Sequence, residues 1–309
     1  MTSVGVSVHE NILDADPGRR RALMDRIDGA GLDHVTLGDH VSFHDGTGFD
    51  GLTTATVALA TNDRLSALVG IYQLALRHPM TVARQVASIA QVAPGRLRLG
   101  VGAGGEDRRE ILNCGVDPAT RGRRLDEALG VLRRLWTGEP FDHEGEFFQL
   151  EQAVVLPVPN PTVPLVVGGS SDAAIRRAGT LGDGWLGIFC SARRFAQTRE
   201  RVVAAAADAG REGVPWFGLS VWCGLARDPQ QAQAALGERM SALYRLEPDR
   251  FRNVAPAGTP QQVAEWLAPF LDAGLDSLSI IPAAASVEEG ADLAAEVAEI
   301  IRARRFDGG

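Results

Sequence analysis

Ala30-Gly31-Leu32-Asp33 and Ala273-Gly274-Leu275-Asp276 stand near opposite ends of a 309-residue chain and read alike. Each ends a helical pattern on a glycine and opens an apolar run behind an aspartate, the mark of a helix-to-strand turn. Between these two turns, strand and helix patterns alternate almost without interruption. Strands are expected over residues 4–8, 34–37, 65–74, 97–101, 165–167, 185–189, 217–225 and 277–281. Asp16-Pro17 caps and opens the first helix. Leu125, Leu129, Leu132 and Trp136 draw a 3.6-residue stripe on another, and the pair Ser286 and Glu289 has capping-box spacing at the start of the last. Alternation of this kind means a parallel sheet. About eight such units in about 300 residues predict an α/β fold of the (β/α)8 TIM-barrel type, a single domain over residues 1–309. Residues 141–164 break the rhythm with four prolines among short extended pieces, so an excursion is expected after the fourth βα unit.

Composition narrows the chemistry. No apolar run approaches the roughly 18 residues of a spanning helix, and the first residues do not read as a signal peptide, so no membrane partner and a cytoplasmic location are expected. The net charge of -8 has the wrong sign for a surface that tracks phosphates, which makes nucleic acid a poor partner. Three cysteines without CxxC spacing support neither a disulfide scaffold nor a structural zinc site. All 31 basic residues are arginine. The absence of lysine excludes Schiff-base chemistry and a P-loop, and leaves proton transfer to His, carboxylates, Tyr or Cys.

In a barrel the chemistry sits where strands end. His9, His40 and His44 fall at such ends, but no His-x-His motif accompanies them and no carboxylated lysine is possible, so a metal site is not expected. The runs Gly102-Ala103-Gly104-Gly105-Glu106 and Gly168-Gly169-Ser170 are different. Glycines ahead of a helix leave backbone N–H groups free to surround a phosphate, which points to an anionic cofactor or small-molecule substrate. Gly100, Gly102 and Gly105 also match GxGxxG, but the next strong helix pattern starts only near Arg121, so a dinucleotide fingerprint fails its context. His34 and His143 read as surface or structural residues, and the cysteines as inert.

Several runs carry a family resemblance in the right order: Gly31-Leu32-Asp33-His34-Val35-Thr36-Leu37-Gly38-Asp39-His40, Leu76-Arg77-His78-Pro79, and Pro94-Gly95-Arg96 through Gly104. Arg121-Gly122-Arg123-Arg124, Gly168-Gly169-Ser170, Gly182-Asp183-Gly184-Trp185 and Gly258-Thr259-Pro260 continue it. The chain resembles the bacterial luciferase-like monooxygenase superfamily, and within it the branch that uses coenzyme F420. That resemblance implies a barrel, often a homodimer, with a flavin-like ring in its mouth. It assigns cofactor phosphate contacts to Gly102, Ala103, Gly104, Gly168, Gly169 and Ser170. It implies a supporting bulge at Val69, Gly70 and Ile71, often built on a non-proline cis peptide. It places the pair Asp39-His40 by the reactive ring carbon, with His40 and Glu106 as the catalytic residues; alternation along the strand turns Asp39 away from His40, which makes it an anchor to cofactor or backbone. The expected activity is hydride transfer between coenzyme F420 and a small organic substrate. An FMN-dependent monooxygenase is the alternative, and a cofactor-free binding barrel, which should lack the glycine loops, is the third reading.

Overall fold

The computed structural model describes residues 2–8, 11–44, 46–105, 107–212, 216–245 and 248–304. Among them eight strands alternate with helices: β1 (Ser3–Ser7), β2 (His34–Leu37), β3 (Ser66–Tyr72), β4 (Leu97–Val101), β5 (Leu165–Gly168), β6 (Gly184–Gly187), β7 (Trp216–Leu225) and β8 (Ser277–Ala283). All eight expected strands are present. β6 stops two residues early, because Phe189 has a φ of 50° and leaves the extended region. The chain forms two compact units, residues 1–36 with 186–201 and 216–309, and residues 37–185 with 202–215.

In the first unit β1 pairs in parallel with both β2 and β8, and β8 pairs with β7. The repeated turns explain the register. Gly31 and Gly274 take φ values of 74° and 84°, where a side chain would be strained. Gly31 N–H bonds Asp28 and Leu32 N–H bonds Ile27; Gly274 to Leu271 and Leu275 to Phe270 repeat the pattern, which closes both helices as Schellman motifs. The aspartates then pin neighbouring strands. Asp33 Oδ2 accepts Val4 N–H at 2.8 Å and Asp276 Oδ2 accepts Phe217 N–H at 2.7 Å.

A polar layer runs through the interior of this unit. His34 is buried, with Nδ1 at 3.1 Å from Ser3 Oγ and Nε2 at 3.0 Å from Ser279 Oγ, and Thr36 donates to Ser279 at 2.7 Å. Gly5 lacks a Cβ because His34 occupies that space. His34 is therefore structural.

In the second unit β4 pairs in parallel with β3 and β5. Here Asp183 plays the pinning part, its Oδ2 accepting Leu165 N–H at 2.8 Å while Oδ1 receives Arg133 at 2.7 Å. The register of β3 slips between Val69 and Tyr72. The excursion holds an antiparallel hairpin, Phe141–Glu144 with Gln149–Ala153. Glu127, on the helix Arg121–Leu135, clasps it through Phe147 N–H, Phe148 N–H and His143 Nε2 at 2.8–3.0 Å.

Two elements that were not expected bear on the site. One is a hairpin of His40–Phe43 with Thr47–Phe49, and the other is the short helix Arg108–Asn113. Strands of three or four residues show no alternation, and six residues do not complete two helical turns, so neither leaves a periodic signal.

Replacing His34 by Ala leaves the buried Ser279 hydroxyl and the half-buried Ser3 hydroxyl each short of a partner, beside a cavity. A loss of about 2–4 kcal/mol is expected in urea unfolding, with the m value unchanged. A loss under about 0.5 kcal/mol, typical of surface positions, would show that the polar layer is not structural.

Candidate active site

The site in the second unit is built from the Asp39 carboxylate outward. Asp39 ends the turn after β2 with no side-chain exposure. Its Oδ1 accepts Gly51 N–H at 2.9 Å, its Oδ2 accepts Gln73 N–H at 2.8 Å, and Arg77 adds a two-pronged pair at 2.8 Å on each oxygen. Burial pushes the Asp39 carboxyl upward, against the charge of Arg77 and the two backbone N–H groups. The Arg77 guanidinium also lies 4.1 Å above the Tyr72 ring. Asp39 was expected to anchor cofactor or backbone; its oxygens receive four donors from its own chain, so the carboxylate anchors backbone.

His40 stands next to it and keeps 35% of its side chain exposed, whereas its partner Glu110 keeps 1%. His40 Nδ1 lies 3.0 Å from Glu110 Oε2. Glu110 comes from the short helix Arg108–Asn113, started by Asp107, whose Oδ1 caps Arg109 N–H at 2.9 Å. Three more donors converge on Glu110 Oε1: Val41 N–H at 2.6 Å, Ser42 N–H at 3.1 Å and Gln73 Nε2 at 3.1 Å. Burial works against the charge of Glu110, but the bonds from His40 and the hairpin N–H groups outweigh it and hold the carboxyl below its ordinary range. Glu106, expected as the acid, and His9 lie outside the described residues. Glu110 escaped the sequence reading because its helix did; the signal was Asp107 followed three residues later by Glu110, a capping pattern.

The Gly70-Ile71 peptide is cis, within the stretch where the resemblance implied one. Around it the glycines have a part that was not foreseen. A Cβ on Gly102 would meet Ile71 at 2.7 Å and one on Gly168 at 2.6 Å, whereas one on Gly100 would first meet the Val69 carbonyl at 2.4 Å and then Ile71 at 3.0 Å. Glycines of β5 and the turn beyond β4 thus form a socket for the Ile71 side chain. Gly102 was expected to offer its N–H to a phosphate. That N–H instead donates to Tyr72 C=O at 3.0 Å, so it is not available. Ala103 follows it in the same turn. Gly104 has a φ of 94° and faces Gln73 Oε1, a buried acceptor with no partner among the described residues. Gly169 has a φ of 109° and its C=O accepts Trp185 Nε1–H at 2.8 Å. Ser170 precedes Ser171, whose Oγ caps the helix Asp172–Thr180 at Ala174 N–H.

Other candidates sort simply. Asp107 accepts His44 N–H at 2.7 Å, and the His44 ring lies on Phe43. No cluster among the described residues could hold a metal ion. Burial pushes the Cys190 thiol up to about 11, and pushes Cys223 up as well, so neither is a ready nucleophile.

The luciferase-like monooxygenase family model matches residues 2–277. This chain belongs to that family. An uncharacterised protein of Mycobacterium bovis is 38% identical over 146 residues, 47% of this chain and 50% of that protein. An F420-dependent glucose-6-phosphate dehydrogenase of Nakamurella multipartita is 33% identical over 169 residues, 50% of this chain and 48% of the dehydrogenase. The match thus spans about half the length of these curated relatives. Among solved structures, an F420-dependent secondary alcohol dehydrogenase in complex with an F420-acetone adduct superposes with a TM-score of 0.86 at 22% identity, covering 97% of this chain and 99% of that one. That likeness shows the fold: the eight strands are those of a (β/α)8 barrel. No helix among the described residues is long and apolar enough to cross a membrane.

Two measurements check the packing and the charge at this site. Gly168→Ala should lower stability by about 1–3 kcal/mol, and by little in an Ile71→Ala background, where the socket is empty. An equal cost in both backgrounds would show that Ile71 is not what the glycines accommodate. Glu110, with its carboxyl held low, stabilises the fold above the ordinary glutamate range and loses that contribution as pH falls below about 4.5. The stability gap between wild type and Glu110→Gln should be about 1–3 kcal/mol at neutral pH and narrow on acidification. A gap independent of pH would mean that ionised Glu110 adds nothing.

Proposed function

We propose that this protein is an oxidoreductase that exchanges hydride between coenzyme F420 and a small organic substrate carrying a hydroxyl or carbonyl. The observation that carries this reading is the His40–Glu110 pair: a half-exposed imidazole tied through one nitrogen to a buried, ionised carboxylate. Its place at the end of the β2 turn, next to the glycine loop after β4, is where barrel chemistry is done. The family membership and the F420-dependent relatives support the cofactor assignment.

The residues present fit a deazaflavin. Gln73 Oε1 is a buried acceptor lacking a donor, and positive-φ Gly104 and Gly169 leave main chain bare where side chains would otherwise stand. Gly104, Gly169, Ser170 and the Val69-Gly70-Ile71 bulge are the residues that would hold it. When bound, F420 supplies a two-electron carrier of hydride. The protein's own part is the proton. His40 Nε2 accepts it from a substrate hydroxyl as hydride leaves the adjacent carbon, and returns it in the reverse direction.

Titration with F420 and with FMN, read by tryptophan quenching, tests the assignment. F420 should bind at micromolar levels or better and FMN at least about tenfold more weakly, a gap of about 1.4 kcal/mol. Equal binding, or yellow FMN-containing protein on purification, would overturn it in favour of a flavin enzyme. A panel of secondary alcohols and sugar phosphates, followed by loss of the deazaflavin's visible absorbance, reads the activity. His40→Ala should cut turnover by about 10²–10⁴-fold with F420 affinity kept. Full turnover in that variant would remove His40 from the proton path.

A further inference from the structure

In the first unit, the helix Pro229–Tyr244 carries Gln233, Leu236, Gly237 and Met240 at i, i+3, i+4 and i+7, the spacing of a single face. Across from it Gln262 and Trp266 stand one turn apart on the helix Pro260–Asp272. All six line a cavity of about 230 Å³ that is partly open to solvent. The sequence shows how the space arises. Gly237 has no side chain to put into the gap, and Ala255 and Ala257 contribute only a methyl group each. A glycine inside a helix costs stability, and so does a void beside buried Leu236 and Met240. A leucine at 237 would relieve both, yet the chain keeps the glycine.

The lining has two characters. Leu236, Met240, Phe251 and Trp266 give it apolar walls. Its polar part is rich in donors. Gln262 Oε1 accepts Thr259 N–H at 3.0 Å in a capping box, so the oxygen is committed and the NH2 group is what that side chain has left to offer. Arg252 brings the one charge among the described lining residues, and no carboxylate opposes it. Donors and a positive charge on apolar walls fit an anion with an apolar body. A cavity of about 150 Å³ holds benzene, so the volume here takes a ring with a short acidic arm, about ten non-hydrogen atoms.

We propose that this cavity is a second ligand site, that it takes a small arylalkyl carboxylate, and that Phe251 passes the presence of the ligand to the reactive face of the barrel. Phe251 lines the cavity and also belongs to a group of packed rings. Its ring centre lies 5.6 Å from that of Phe189, which follows β6, and 5.7 Å from that of Tyr244. Tyr244 stands edge-on to Phe189 at 5.4 Å, and its hydroxyl accepts Trp222 Nε1–H at 3.3 Å. Trp222 lies toward the C-terminal end of β7, the face on which barrel enzymes do their chemistry. A ligand against Phe251 therefore presses on a contiguous run of rings, and close packing transmits the displacement. None of this depends on the role given to His40.

Titration calorimetry of the full chain with phenylacetate tests the site without cofactor or turnover. A Kd below about 1 mM is expected, with phenylacetamide at least about tenfold weaker. Gln262→Glu keeps the oxygen that serves the capping box but sets a negative charge toward the ligand, and should weaken phenylacetate at least about tenfold. Gly237→Leu, a better helix former that fills the gap, should abolish binding. No heat from wild type at about 10 mM phenylacetate overturns the proposal. Unchanged affinity in Gly237→Leu also overturns it, since the ligand then sits elsewhere, and equal affinity for acid and amide overturns the anion assignment. The indole 1H–15N resonances of the five tryptophans, with Trp222 and Trp266 assigned by Phe substitution, read the transmission. Phenylacetate should move both the Trp266 resonance and that of Trp222. A Trp222 resonance that stays still while Trp266 moves overturns the role of Phe251.

Discussion

A single buried carboxylate organises the second unit. Asp39 receives four N–H donors from three places in the chain: Gly51 at the start of a helix, Gln73 just beyond β3, and the guanidinium of Arg77. A charge out of contact with water is tolerated only when it is paired and fully bonded, and these four bonds meet that condition. They also do something that apolar packing cannot. Hydrophobic contact is non-directional, whereas a carboxylate with each lone pair assigned admits one arrangement of its neighbours. Gln73, oriented by Asp39, then orients Glu110, and Glu110 orients His40 and the hairpin that follows it. The exposed end of the network, His40, is held in place because its buried end is over-determined.

The second constraint is steric. Ile71 projects toward glycines on β5 and the turn after β4, so Gly102 and Gly168 must forgo a side chain for one isoleucine to fit, while Gly100 does so chiefly for the Val69 carbonyl. Glycines in a loop invite the reading that their main chain binds something, and here Gly102 shows why that reading needs geometry. Its N–H is already bonded to Tyr72, and its lack of a Cβ answers to a neighbouring side chain. Gly104 and Gly169 differ in that their φ values alone require glycine, whatever binds there.

Much of this was legible beforehand and the remainder was not, for physical reasons. The barrel was readable because each βα unit repeats a strong local signal, and the Ala-Gly-Leu-Asp turns carry their function in their composition: a positive φ at glycine and a strand-pinning carboxylate at aspartate. His40 was readable as a titratable residue just past a strand end. Glu110 was not, since its importance comes from a six-residue helix folding back on a hairpin, and both elements fall below the length at which periodicity speaks. That Asp39 anchors cofactor or backbone was readable, but which backbone was not, because its partners lie 12, 34 and 38 residues away. His34 read as either a surface or a structural residue, and only the serines of two other strands decide for the second.

The Glu110 carboxylate is held at Oε1 partly by the main-chain N–H groups of Val41 and Ser42. Main-chain donors do not depend on the identity of the residue that carries them. Val41 is half exposed, so its side chain can be exchanged without disturbing the anion whose bond it provides. The hairpin therefore separates two tasks: its backbone maintains the acid, and an exposed side chain such as that of Val41 is left free to vary. Substitution at an exposed position such as Val41 would then leave the Glu110–His40 pair as it is.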